Sequence, residues 1–482
     1  MPTSPLRATR WGSLAVLLTA LSVAAPAARA AHETDVADAL DPDHPLEVDL
    51  DFTYTHLRSD TTITRENFQT VNPVGPSTAK GTVLVNELQH SQVDDNAAFR
   101  LGLGLYHDLE LHFIVPYSVG DTQTWGFASG TTTTTSTLWN NTFSASGCNG
   151  GACGSAQSML PTNFATKGAS AKRGGFGDPT IGIAWGPINE EREERLKPEL
   201  FPTGHGLSTW VIGLDYTLPL PGDLDDPSKQ YANINQTGTP PTSYTGSLLR
   251  KAHIFSPWTA WSIRYHVVNP YFSLRATIPV PVQGSTFDNC SLLTNPNAPQ
   301  LADVATQNCA NGANATAQTT KAWGTQTAYQ PAYTGAFKLG SEFVIAEDVD
   351  ARRKIAVDLN GVVTWFSQAR DYSMVSDMLG KLTFETEHVT TIGTLGIYGR
   401  AARWLHFRVS GSLGFDTPHF LTNENIGQDL NGDGQISISA GGSTKSAEQN
   451  PLYDFRVDQV GRRLRAELSL IWGVSGTVSL NF

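Results

Sequence analysis

GRRLRAELSLIWGVSGTVSLNF, residues 461–482, alternates in polarity over an unusual length. From Leu464 onward every second residue is apolar or small: Leu464, Ala466, Leu468, Leu470, Trp472, Val474, Gly476, Val478, Leu480 and Phe482. Arg465, Glu467, Ser469, Ile471, Gly473, Ser475, Thr477, Ser479 and Asn481 stand between them, polar or small but for Ile471. Side chains alternate faces along a strand, so this run is a single two-faced strand. It is roughly three times the ordinary length of five or six residues. Hydrocarbon demands such a strand: it offers no hydrogen-bond partners, so a spanning sheet must close on itself. Each strand then needs about 9–11 residues with one face toward lipid and the other toward the lumen.

The same alternation recurs along the chain, in LEVDLDFTY, in FRLGLGLYHDLELHFIVPY, in DPTIGIAW, TWVIGLDYTLPL and WSIRYHVVNPYFSLRATIPV, and later in KIAVDLNGVVTWF and WLHFRVSGSLGF. It predicts twelve strands, near 45–57, 90–106, 109–122, 176–187, 207–220, 257–266, 269–283, 333–346, 353–367, 388–400, 403–416 and 462–482. Short connections fall at His107-Asp108, around Val268-Asn269, in EDVDARR and in GRAARW. Long polar ones cover about 58–89, 123–175, 221–256, 284–332, 368–387 and 417–461. Short and long turns in alternation, an even strand count and both termini on the short-turn side predict an all-β fold. It is a transmembrane antiparallel barrel with short periplasmic turns and long extracellular loops. Trp185, Trp210, Tyr117, Tyr265, Phe272, Trp365 and Trp404 near strand ends fit interfacial girdles or ordinary packing. A soluble sandwich is the competing reading; strand length and a chain that stops on Phe482 favour the barrel.

The chain starts with Arg7 and Arg10, an apolar stretch from Leu14 to about Ala25, and the small-x-small site Ala28-Arg29-Ala30. That pattern predicts a signal peptide over 1–30, cleaved before about Ala31. A short periplasmic segment is expected over 31–44, and the barrel over 45–482. Cleavage removes Arg7, Arg10 and Arg29 and no acid, taking the formal net charge from −12 to −15. So acidic a chain is a poor nucleic-acid binder. Cys148 with Cys153, and Cys290 with Cys309, read as two local disulfides in an oxidising compartment, with zinc as the alternative.

FRLGLGLYHDLELHFIVPYSVGD followed by GFGDPTIGIAW resembles the outer-membrane transporters grouped as the meta-pathway phenol-degradation family. The matching positions are Arg100, Gly102, Leu103, Leu109, Glu110, Leu111, Pro116, Tyr117, Gly175, Gly177 and Asp178. The resemblance is specific over about 97–220 and diffuse beyond. It implies a monomeric or small-oligomeric barrel that passes hydrophobic or aromatic compounds.

On the inner face the alternation places Glu47, Asp49, Asp51, Arg100, Glu110, His112, Asp215, Arg264, Arg275, Lys338, Glu342, Asp358, His406, Arg408, Arg463, Arg465 and Glu467. Facing lipid, Arg or Lys would cost about 2–4 kcal/mol each at mid-depth. In a lumen they either select solutes or pair across it and close it. Arg100 and Glu110, on the two arms of one hairpin, are the first pair to test. DLNGDGQIS offers Asp429, Asn431, Asp433 and the Gln435 carbonyl at the spacing of a calcium loop, but Ala440 stands where a bidentate Glu is expected. Glu424, Glu448 or Asp454 would have to substitute, and a plain Asn-Gly/Asp-Gly turn is the alternative. No catalytic motif and no cofactor beyond weak calcium is expected. The expected partners are outer-membrane lipid, the barrel-assembly machinery (with Phe482 as its signal) and small solutes. The expected function is a passive transporter or porin in the bacterial outer membrane. The alternative is a non-conducting surface-display barrel whose disulfide-stiffened loops bind ligands.

Overall fold

The computed structural model describes residues 31–41, 44–70, 80–140, 159–161, 163–201, 206–222, 225, 227–234, 245–282, 329–348, 353–402, 404–429, 432–436, 448, 450, 452–454 and 456–482. One closed antiparallel wall is made of twelve strands. They are β1 (Val48–Thr70), β2 (Lys80–Tyr106), β3 (Leu109–Phe127), β4 (Thr180–Asn189), β5 (Leu207–Thr217), β6 (Ala252–Arg264), β7 (Val268–Pro281), β8 (Thr334–Asp348), β9 (Arg353–Phe366), β10 (His388–Ala402), β11 (Leu405–Asp416) and β12 (Ser469–Asn481). Each pairs with its sequence neighbours, and β12 closes the ring on β1 from Leu470↔Asp60 to Asn481↔Asp49. Reciprocal backbone bonds between Val48 and Phe482, at 3.1 and 3.0 Å, finish the seam. Three shorter pieces prolong the wall at the long-loop end: Ala169–Phe176 on β3, Leu464–Ala466 on β1, and His419–Phe420 beyond it.

Outward positions are apolar and bare. Leu395 and Ile397 on β10, Val409 and Leu413 on β11, and Leu470, Val474 and Val478 on β12 are all exposed, Leu413 by 62 %. An apolar band of this extent around a closed sheet suits hydrocarbon rather than water.

Three expectations need correction. The connection expected over 58–89 is mostly strand, since β1 and β2 stay paired from Val48↔Leu103 to Thr70↔Lys80. Apolar alternation marks only the part of a strand that faces oil. Above that band the outer face is polar, and the ladder continues without a hydropathy signal. The second correction concerns the chain's end. Leu464 and Ala466 are buried inside, whereas Leu468 and Leu470 are 59 % and 52 % exposed outside. The break at Glu467-Leu468, between the two strand pieces, shifts the alternation by one residue, and a one-residue slip exchanges the faces. Arg465 and Glu467, expected in the lumen, therefore lie on the outer side above the band, 3.6 Å from each other. The β6–β7 turn also moves, from Val268-Asn269 to His266-Val267, with His266 at φ +55.

The water-excluded core sits across the long-loop mouth. Leu138, Met159, Leu160, Phe164, Val375, Met378, Leu421 and Val457 from the long connections pack on the inward residues Ile63, Leu88, Trp125, Ala171, Leu464 and Ala466 of the prolonged wall. These connections form a folded cap.

The lumen as candidate functional site

Below the cap the lumen is lined by paired charges. Arg100 on β2 bridges Asp51 on β1, at 3.1 Å, and Glu110 on β3. His112 stands 3.0 Å from Glu110, and its Nε2 is 3.0 Å from Asp215 on β5. Asp215 also accepts from Arg275 on β7, at 2.6 Å, and from the Trp258 indole on β6, at 3.1 Å. Across the barrel, Asp358 accepts from the Tyr271 hydroxyl at 2.7 Å and from Arg408, while Lys354 faces Glu342 at 3.4 Å. His406 lies 3.3 Å from the Tyr398 hydroxyl. Buried charges need partners of this kind, because an isolated one is costly. Bare wall makes room for them: a Cβ on Gly182 would sit 2.1 Å from His112 Nε2 and 2.5 Å from Asp215 Oδ1.

Residues 31–41, expected as a periplasmic segment, instead thread into the lumen as a plug. His32 donates its backbone N–H to Glu342 at 2.7 Å and stacks on Tyr398. Glu33 pairs with Lys338 and accepts from Ser273 at 2.8 Å. The Thr34 hydroxyl meets Ser262 at 2.7 Å, and the Ala37 N–H meets Glu110 at 2.8 Å. Asp38 accepts from and donates to Glu47. The segment thus touches β3 on one side and β8 and β10 on the other, crossing the lumen near its short-turn end. Gly104 admits it, since a Cβ there would lie 2.0 Å from the Asp38 carbonyl oxygen. A hairpin of Ala39–Asp41 on His44–Leu46 turns the chain into β1. Sequence reasoning missed the plug: AHETDVADALD has no periodicity, and its polar partners are scattered over β3, β6, β7 and β8.

Of the other expected lumen residues, Glu47 and Asp49 lie on the inner face beside the plug. Arg264 holds Glu194 at 2.7 Å, in the short helix Glu190–Leu196 at the short-turn rim. Arg463 belongs to the cap, clamping Glu66 at 2.9 Å over the Phe420 ring.

Polar clamps brace the cap. Glu87 accepts from the Ser136 hydroxyl at 2.6 Å and the Thr137 N–H at 2.8 Å. Arg65 donates to the carbonyls of Thr137 and Arg456. Arg370 grips Glu424 with two bonds of 2.5 and 2.7 Å, and Arg173 holds Asp225 and Asp377. Glu424 and Asp454, considered as extra calcium ligands, are committed to Arg370 and Arg456. In the calcium-like loop, Asp429 accepts from the N–H groups of Gly432 and Gly434 at 2.7 Å, and Asp433 from Gln435 at 2.8 Å. Asn431, Ala440 and the four cysteines lie outside the described residues. A shallow, open groove of about 610 Å³ runs over the wall from β6 to β9, lined by Trp258 and Arg275 and by the exposed Leu274, Phe337, Val363 and Trp365.

No family model matches the chain, and no curated protein is significantly similar to it in sequence. Among solved structures it is similar to an outer membrane channel from Pseudomonas putida F1, with 8% identity over 89% of this chain and 95% of that one, at a TM-score of 0.35. A Pseudomonas aeruginosa FadL homologue aligns at 9% identity over 91% and 90%, with a TM-score of 0.30. The CymD monoaromatic hydrocarbon channel aligns at 8% over 88% and 87%, with a TM-score of 0.23. At such scores the architecture rests on the chain's own closed ladder.

Proposed function

We propose that this protein is an outer-membrane transporter for small solutes, exported by its leader and held in the structure in a closed form. The observation that carries the reading is the pairing of an apolar outer band with a charged lumen stopped by a plug. The plug is held mainly by hydrogen bonds and ion pairs, with the His32–Tyr398 stack and only the small side chains of Ala31, Ala37 and Ala39 buried, so its release largely exchanges protein contacts for water contacts. The resemblance of residues 97–220 to the meta-pathway family supports hydrophobic or aromatic solutes. A second reading, a non-conducting barrel that displays its loops, draws support from the packed cap, which is built like a domain core.

Planar-bilayer recording of the refolded protein tests the choice. Rare discrete openings in the full chain, made frequent by deletion of residues 32–41, support transport. Silence of both proteins, each running as a heat-modifiable barrel on gels, removes it in favour of display. Liposome swelling driven by a small aromatic alcohol then tests the solute class.

A further inference from the structure

At the long-loop rim, away from the lumen network, two histidines and a glutamate converge from three segments. Their ligand atoms, on Glu385, His388 and His419, all lie within 4.8 Å of one another. Glu385 ends a small hairpin of Ala369–Asp371 on Thr383–Glu385, His388 opens β10, and His419 sits in the piece that pairs with Leu464–Ala466.

Local geometry presents the same nitrogen of both rings. His388 Nδ1 lies 3.2 Å from the Thr386 carbonyl and His419 Nδ1 lies 2.8 Å from the Thr417 carbonyl, each two residues back. A carbonyl can only accept, so each Nδ1 carries the proton and each Nε2 keeps its lone pair in the neutral ring. The rings stack at 4.1 Å and 18°, and Phe366 covers the far side of His388 at 4.7 Å. His419 Nε2 then faces the Glu385 carboxylate oxygen at 2.7 Å. Two lone pairs cannot meet there without a cation, which is either a second proton or a metal ion. Asp416 adds negative charge, 4.0 Å from His388 Nε2 and 3.8 Å from His419 Nδ1.

We propose that Glu385, His388 and His419 bind a first-row divalent transition ion of the zinc class, which staples the cap to the barrel rim. Two imidazoles and a carboxylate suit zinc, with metal–nitrogen and metal–oxygen distances of about 2.0–2.2 Å. Nδ1–H bonds to backbone carbonyls are the supports that such ligands ordinarily have. Calcium and magnesium, which prefer all-oxygen cages, should not compete.

The test is titration of the refolded full-length protein in detergent with Zn2+, Mg2+ and Ca2+, alongside the visible spectrum with Co2+. The expected result is one Zn2+ per chain, unaffected by excess Mg2+ or Ca2+, and Co2+ bands of a four-coordinate nitrogen–oxygen site. His419→Ala and His388→Ala should each weaken binding by roughly a hundredfold, since loss of a supporting partner alone costs about 10–100-fold. Glu385→Gln, which keeps the shape, serves should a histidine variant fail the heat-modifiable gel shift. Absence of one-to-one binding by the unaltered protein overturns the proposal, as does binding that survives all three substitutions.

Discussion

The two ends of the lumen are closed by different physics. At the long-loop mouth, Leu138, Phe164, Met378, Leu421 and Trp125 bury one another, and charged clamps brace that core. At the short-turn end, residues 31–41 lie against Glu342, Lys338, Ser262 and Glu110 with hydrogen bonds and ion pairs and no apolar core of their own. Apolar burial stabilises by about 25 cal/mol per Å² and is lost cooperatively when water enters. Polar contacts that trade evenly with water contribute about 0.5–1.5 kcal/mol each. On the transport reading proposed above, the cap is the part that stays and the plug the part that moves.

The sharpest way to break this contrast is to remove the plug. Deleting residues 32–41 abolishes at least four polar contacts at once, a shift of several kcal/mol and roughly a hundredfold or more in open probability. Gly104→Val should reach the same end without shortening the chain, because its side chain occupies the place of the Asp38 carbonyl. Single-channel recording reads both. Should neither variant conduct more than the full chain, the cap rather than the plug sets the closure.

The converse experiment targets the cap. Phe164 is 2 % exposed and packs on Phe127 at 5.0 Å. Phe164→Ala should cost the cap about 3–5 kcal/mol. The long loops should then be cut by protease far faster, while the wall below, hydrogen-bonded all round, still gives the heat-modifiable gel shift. Unfolding of cap and wall together would show one cooperative unit in place of two.

How much of this was legible beforehand follows from what imposes a pattern on sequence. Lipid contact imposes a two-residue period, so all twelve strands could be read where they cross the apolar band, and Arg100 with Glu110 could be paired from hairpin register. The upper halves of β1 and β2 carry no such period, because outward residues such as Thr62 and Gln89 have no oil to match. The cap is built from single apolar residues such as Leu138 and Phe164 set in polar loops, and it leaves no periodic trace. Arg465 and Glu467 were misplaced because Leu464, Ala466 and Leu468 are all apolar, so the shift between them is invisible in hydropathy. The plug is the extreme case, a segment specified only by partners that lie up to 310 residues away.

A finer test stays within the plug. Lys338 pairs with Glu33 and lies over the Tyr271 ring at 5.5 Å. Both charges are about one-fifth exposed, so solvent screens the pair and Lys338→Met should release about 1–2 kcal/mol. That corresponds to roughly a tenfold rise in open probability, since every 1.4 kcal/mol is tenfold. A double-mutant cycle with Glu33→Gln separates the pair from each residue's other contacts. Additive effects would mean that the ion pair does not hold the plug.

The smallest effect is the pH response of the cap. Burial pushes the Asp458 carboxyl up to about 6, against the pull of Lys381 at 3.4 Å. Its folded value thus lies above the unfolded 3.8, so what it contributes is complete below about pH 4 and is lost as pH rises through 6. Asp454 runs the other way: although burial opposes it, Arg456 holds that carboxyl well below its usual range, and its contribution is lost on acidification. The two windows meet at the unfolded value and do not overlap, so above pH 4.5 the difference made by Asp458→Asn is the informative quantity. The variant has no carboxylate to ionise at that position, and its protease protection should gain on the unaltered cap between pH 4.5 and 7.5. Protection curves that stay parallel across that range would mean that Asp458 is already ionised in the folded cap, with Lys381 and the backbone N–H groups of Glu424 and Asp454 as sufficient partners.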